Sequence, residues 1–182
     1  MVIKDLLKKY SRILGLIVAI LISVLVFIYR DSFINLQSYG YFGIFVLSIL
    51  GNATIVLPVP VILTAFVGGA IFNPFIVTVV VASGASIGEL TGYLAGHGGA
   101  GIIEKGAKLQ KVKKWMDRYG LWTLFVLAAI PNPLFDLAGI IAGATKIPVY
   151  KYLIIVWLGK LVKFGIIAYL GANSIGLIDK FI

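Results

Sequence analysis

The chain has 182 residues, 60% hydrophobic and 13% charged, with a formal net charge of +9; a soluble domain carries roughly 25% charged residues, so this composition reads as a one-domain integral membrane protein. With no cysteine and a single histidine, His97, disulfides, thiolate nucleophiles and thiolate-held metals are excluded, and little is left for triad chemistry. The excess of Lys and Arg lies beside apolar spans, where it sets topology and meets anionic headgroups, so no nucleic-acid binding is expected.

Residues 1–38 read as an N-terminal anchor. Lys4, Lys8, Lys9 and Arg12 precede an apolar run from Ile13 to Tyr29, closed by Arg30-Asp31, which is just long enough to span. A signal peptide shares the basic head and apolar middle. No small-residue cleavage site precedes Arg30, so a retained anchor with a cytoplasmic N-terminus is expected.

Residues 39–172 form the membrane domain. Tyr39 to Leu57 and Val61 to Phe72 are two apolar limbs divided by Pro58-Val59-Pro60. The second limb is too short to cross, and prolines one residue apart break a helix. The pair is expected to be a re-entrant hairpin; two full crossings with a kink are the alternative. Phe75 to Gly96 is long enough to span, and its glycines at 84, 88, 92 and 96 share one ridge, a packing seam either within the chain or in a homo-oligomer.

Residues 102–119 change character. Leu109, Val112, Met116 and Tyr119 recur at three and four among six Lys and Arg, so an amphipathic helix on the cytoplasmic membrane surface is expected. Leu121 to Thr145 is then a second hairpin, broken at Pro131 and Pro133. Val149 to Gly171 is the last crossing, and 173–182 is a tail. His97 and the three tryptophans are read as interfacial anchors or packing.

The breaks recur with their surroundings. Leu57, Gly69, Pro74 and Tyr93 of the first unit (about 41–97) match Ile130, Gly143, Pro148 and Tyr169 of the second (about 121–171) at offsets of 73, 74, 74 and 76. Such small drift points to a duplicated unit. On this path twelve basic residues fall on the cytoplasmic side and two outside, and the two hairpins enter from opposite faces, making the repeats inverted.

Four ionisable side chains then lie inside spans: Glu89, Asp136, Lys160 and Lys163. Each costs at least ~2.5 kcal/mol at the bilayer centre, so they are expected to face one another or water. Read functionally, an anionic headgroup sits near Lys160 and Lys163 while Asp136 or Glu89 exchanges a proton, and Asn132 and Asn52 supply amide hydrogen bonds. Read structurally, the charges are pairs that set helix register, with Lys160 reaching to the surface.

The proline-flanked hairpins, Gly88-Glu89 with Tyr93 and Gly96 downstream, Arg118-Tyr119-Gly120 closing the basic segment, and Gly139 with Gly143 after Pro131-Asn132-Pro133 resemble the DedA superfamily, also called the VTT or SNARE-associated domain, from about Gly51 to Gly171. The resemblance implies two inverted re-entrant hairpins facing each other and movement of lipid between leaflets. In bacterial relatives this means undecaprenyl phosphate recycling or phospholipid flipping, often proton-coupled; in eukaryotic ones, scrambling. Many bacterial members carry an acid just after the first Pro-x-Pro, where this chain has Val61 and Ile62, and arginines around the second, where it has Ala128, Ala129 and Leu134. Asp136 is the acid that remains, and a broader lipid scramblase fits at least as well as a polyprenyl-phosphate carrier.

The expected protein is thus all-α and polytopic, with two inverted re-entrant helical hairpins each followed by a spanning helix, in the plasma or inner membrane. It is expected to be a flippase- or scramblase-type lipid transporter without cofactor, metal or enzyme chemistry, whose partners are membrane lipids with anionic headgroups. A coupled transporter of a small soluble solute and a non-transporting scaffold are the rival readings.

Overall fold

The computed structural model describes residues 39–53, 61–98, 107–132 and 134–178, and within them every regular element is a helix. The anchor expected before residue 39, together with Pro58, Pro60 and Pro133, lies outside the described residues. In chain order the helices are α1 (Gly40–Ala53), α2 (Val61–Ile71), α3 (Pro74–Gly88), α4 (Leu90–Gly98), α5 (Ala107–Tyr119), α6 (Leu121–Ala129), α7 (Phe135–Ala144) and α8 (Val149–Ile178).

Length separates these helices into two kinds. At about 1.5 Å per residue, the 14 residues of α1 reach about 21 Å and the other limbs, α2, α6 and α7, fall shorter still, against a hydrocarbon core of about 30 Å. As described, each of these four helices is shorter than that core. By contrast Pro74–Gly98, which runs through α3 and α4, and Val149–Ser174 within α8 are each long and apolar enough to span. The α8 segment has a mean hydropathy of 2.0 with only 28% of it buried. The core helix of a soluble protein would be buried, so this outward apolar surface belongs in lipid.

Local chemistry sets the helix ends. Asn73 caps α3, its Oδ1 accepting from the amides of Phe75 and Ile76, with Pro74 in the first turn where its missing N–H costs nothing. At the end of α7 the Ile147 amide bonds the Ala142 carbonyl and the Lys146 amide bonds that of Gly143, a double C-cap that puts Lys146 at φ 58°. The corner between α5 and α6 turns at Gly120, φ 59°, a conformation suited to a residue without Cβ.

Packing exchanges limbs between the two long helices. α1 lies on α3 and α6 on α8, but α2 packs on α8 and α7 on α4. Glycines make both crossings possible: a Cβ on Gly69 would collide with the Ala168 carbonyl and one on Gly171 with that of Phe66, while Gly143 lies against Tyr93 and Gly96 against Ile140 in the same way. Each contact of the first crossing has its counterpart in the second 74 or 75 residues away in sequence. The glycine ridge on α3 and α4 is accordingly an internal seam, with Gly84 and Gly88 against α1 and Gly96 against α7.

Two apolar clusters result among the described residues. One holds Ile44, Val61, Ala65, Val77, Val81, Phe164 and Ala168. The other gathers Tyr93, Val112, Leu124, Phe135, Ile141, Tyr152 and Val156. α5 contributes to the second by burying Val112 and Met116 against the α6–α7 hairpin. The apolar stripe expected to lie on the membrane surface is therefore partly turned into protein, while Lys111, Lys113, Lys114 and Arg118 stay exposed.

Candidate functional site

The site begins where the long helices pass from one apolar cluster to the other. On α8, Tyr152 and Val156 belong to one cluster and Phe164 and Ala168 to the other, and Lys160 lies between them with no exposed surface. On the facing path, Val81 and Ala85 of α3 and Tyr93 of α4 divide in the same way, with Glu89 at the joint. A buried charge demands a partner. Lys160 Nζ donates to Glu89 Oε1 at 2.9 Å and to Asn52 Oδ1 at 2.8 Å.

Four separate elements build this cluster. Asn52 comes from the last turn of α1, its Nδ2 held by the Ser48 carbonyl at 2.9 Å so that Oδ1 points at the lysine. Phe135 opens α7 and places its ring 5.1 Å from Lys160 Nζ, and Phe164, one turn along α8, places its ring at 5.8 Å. The ammonium group is thus enclosed by one carboxylate, one amide oxygen and two ring faces. No buried side-chain polar atom among the described residues lacks a hydrogen-bond partner.

Two of the four expected charges meet directly; the other two flank them. Asp136, in the first turn of α7, is exposed and forms no ion pair among the described residues, and it directly follows Phe135, whose ring faces Lys160. Its place suits a carboxylate, since helix N-termini carry partial positive charge. Lys163 is half-buried, with its ammonium 4.8 Å from the Phe164 ring.

Asn132 is elsewhere. Its Nδ2 donates to the carbonyls of Leu127 and Ile130, both at 2.8 Å, and its Oδ1 accepts from the Leu134 amide at 2.9 Å. The side chain therefore supplies hydrogen bonds to the break between α6 and α7, where Pro131 sits exposed outside regular structure. Irregular backbone in an apolar setting needs this kind of local satisfaction. His97 is exposed, with Nδ1 3.3 Å from the Gly143 carbonyl.

Tyr152 is the residue that sequence reasoning passed over. Fully buried, it donates its hydroxyl to the Glu89 carbonyl at 3.3 Å and packs its ring 5.0 Å from that of Tyr93, whose hydroxyl bonds the Ile147 carbonyl at 2.6 Å. A signal was present: positions 152, 156, 160, 164 and 168 form one continuous four-residue stripe. All five are buried, and the lysine is its midpoint.

Residues 57–173 match the VTT domain, a segment that includes Glu89, Asp136, Lys160 and Lys163 and begins just after Asn52. Over 76 residues, 40% of this chain, the protein is 36% identical to vacuole membrane protein KMS1 of Arabidopsis thaliana. It is 37% identical over 62 residues, 34% of the chain, to a vacuole membrane protein 1 homolog of Dictyostelium discoideum. These matches cover 16% and 15% of the relatives' own lengths, so the chain spans about a sixth of each. No solved structure matches it. With the family model covering well over half of the sequence, an all-helical architecture and two membrane-length apolar helices, this chain belongs to the VTT domain family of membrane proteins.

Proposed function

We propose that the protein moves phospholipid, or a polyprenyl-phosphate lipid, between leaflets, with the headgroup passing the Lys160 cluster. The observation that carries this reading is a fully buried ammonium where residues of α1, α7 and both long helices meet, with a half-buried lysine and an exposed carboxylate nearby. Such groups are costly in a bilayer and mark substrate or proton paths. Lys160 and Lys163 would attract a phosphate-bearing headgroup, and Asp136, without an ion-pair partner among the described residues, is the group that would exchange a proton.

The reciprocal glycine crossings support reading α1–α2 and α6–α7 as two inverted re-entrant hairpins, each exchanging its second limb onto the other repeat's spanning helix. In inverted-repeat transporters the site lies at the repeat interface near the midplane. The basic face of α5 supports placing that helix on the cytoplasmic side of the cell membrane, and Lys4, Lys8, Lys9 and Arg12 in the sequence support the same side for the N-terminus.

A second reading has its own observation. Lys160 is satisfied within the protein by Glu89 and Asn52, as expected of a register-setting ion pair in a scaffold that transports nothing.

The deciding measurement is fluorescent-lipid exchange by purified protein in liposomes with several headgroups. Loss of the outer-leaflet restriction of dithionite bleaching, seen with the wild type and not with Asp136→Asn, supports transport; a flat result for every headgroup leaves the scaffold.

A further inference from the structure

An apolar groove of about 430 Å³, lined by Trp115, Tyr119, Trp122, Thr123, Val126 and Leu127, lies between α5 and α6, away from the Lys160 cluster. Its floor is built: Thr123 donates to the Trp115 carbonyl at 2.9 Å, locking the two helices at the Gly120 corner. Its outer wall is open, with Trp122 72% exposed and Tyr119 and Val126 about half exposed. Two cations sit on the aromatic residues that form it, Lys111 Nζ 5.1 Å from the Trp115 ring and the Arg118 guanidinium 5.2 Å from that of Tyr119.

We propose that this groove is a binding site for an anionic phospholipid, with an acyl chain along Trp122 and Val126 and the headgroup held between Lys111 and Arg118. The volume is that of a ligand pocket. Charge complementarity selects the occupant: the exposed face of α5 carries Lys111, Lys113, Lys114 and Arg118 against the single acid Asp117, and anionic headgroups are the abundant negative partner at a membrane surface. The aromatic rings mark the interface level, where a headgroup and the first methylenes of its chain meet. The site is one of equilibrium binding and does not depend on lipid transport.

The test uses the full chain carrying Trp157→Phe, which leaves Trp115 and Trp122 as the emitting residues, reconstituted in phosphatidylcholine vesicles. Brominated phosphatidylglycerol or brominated phosphatidylcholine is titrated in and tryptophan quenching is read; the unmodified chain is measured alongside. Half-maximal quenching is expected at a clearly lower fraction of the anionic lipid. Arg118→Gln should raise that fraction roughly fivefold, the effect of one basic residue at a membrane surface. Val126→Phe, which fills the groove and leaves every charge in place, should remove the preference as well. Coincident curves for the two lipids would overturn the site. So would a preference that survives Val126→Phe, which would mean attraction to the basic surface alone.

Discussion

Glu89 and Lys160 stand 71 residues apart in sequence and 2.9 Å apart in the fold, each at the point where its long helix leaves one apolar cluster for the other. Removing either partner strands a charge with almost no access to solvent. Lys160→Met or Glu89→Gln alone should therefore destabilise the protein by about 3 to 5 kcal/mol, whereas replacing both should recover most of the loss. Thermal unfolding of the purified variants in detergent reads the stability. Lipid exchange by the double variant separates the two functional readings: folded but inactive supports a headgroup path, folded and fully active a register pair.

Asp136 presents the opposite case. Exposed and without an ion-pair partner among the described residues, it contributes little to holding α7 in place, so Asp136→Asn should change the melting temperature only slightly. Lipid exchange should nevertheless fall to the background of protein-free liposomes. Activity equal to wild type would remove this carboxylate from the mechanism.

How far the sequence reached follows from the kind of signal each residue leaves. Apolar length and paired prolines marked short limbs and long spans because hydrocarbon thickness and a missing N–H act locally. Glu89, Lys160 and Asn52 could be nominated by cost and amide chemistry, but which charge meets which depends on how α3, α8 and α1 pack on one another, a matter of tertiary packing. Asp136 and Asn132 lie only four residues apart, yet one flanks the cluster and the other closes its own turn. The basic stripe of α5 was legible, while its docking through Val112 and Met116 was not: an amphipathic helix presents the same pattern whether its apolar side meets lipid or protein.

The glycine crossings make a prediction that distinguishes neighbours on one helix. A Cβ at Gly96 or Gly143 would run into a backbone carbonyl of the opposing helix, whereas among the described residues one at Gly92 meets nothing nearer than the Asp136 carbonyl at 3.9 Å. Gly96→Ala and Gly143→Ala should each cost about 1 to 3 kcal/mol through overpacking, and Gly92→Ala should be neutral or slightly stabilising. Gly69→Ala and Gly171→Ala, at the other crossing, should behave like the first pair. Melting temperatures of the five single variants in one detergent check the pattern, and a Gly92→Ala loss equal to the others would contradict it.

Asn132 offers the sharpest local test, because one side chain bonds three backbone groups across the break between α6 and α7. Asn132→Ala strips all three and leaves the carbonyls of Leu127 and Ile130 and the Leu134 amide to find other partners, at about 1 to 3 kcal/mol for each group that stays buried and unpaired. Asn132→Asp keeps the acceptor for the Leu134 amide but sets a carboxylate oxygen against the two carbonyls, which like a second acceptor can only repel. The aspartate variant should therefore be at least as unstable as alanine, although it is the closer match in shape. An order reversed in thermal unfolding, with aspartate near wild type, would show that the amide's donation to Leu127 and Ile130 is not what holds the limbs at this angle.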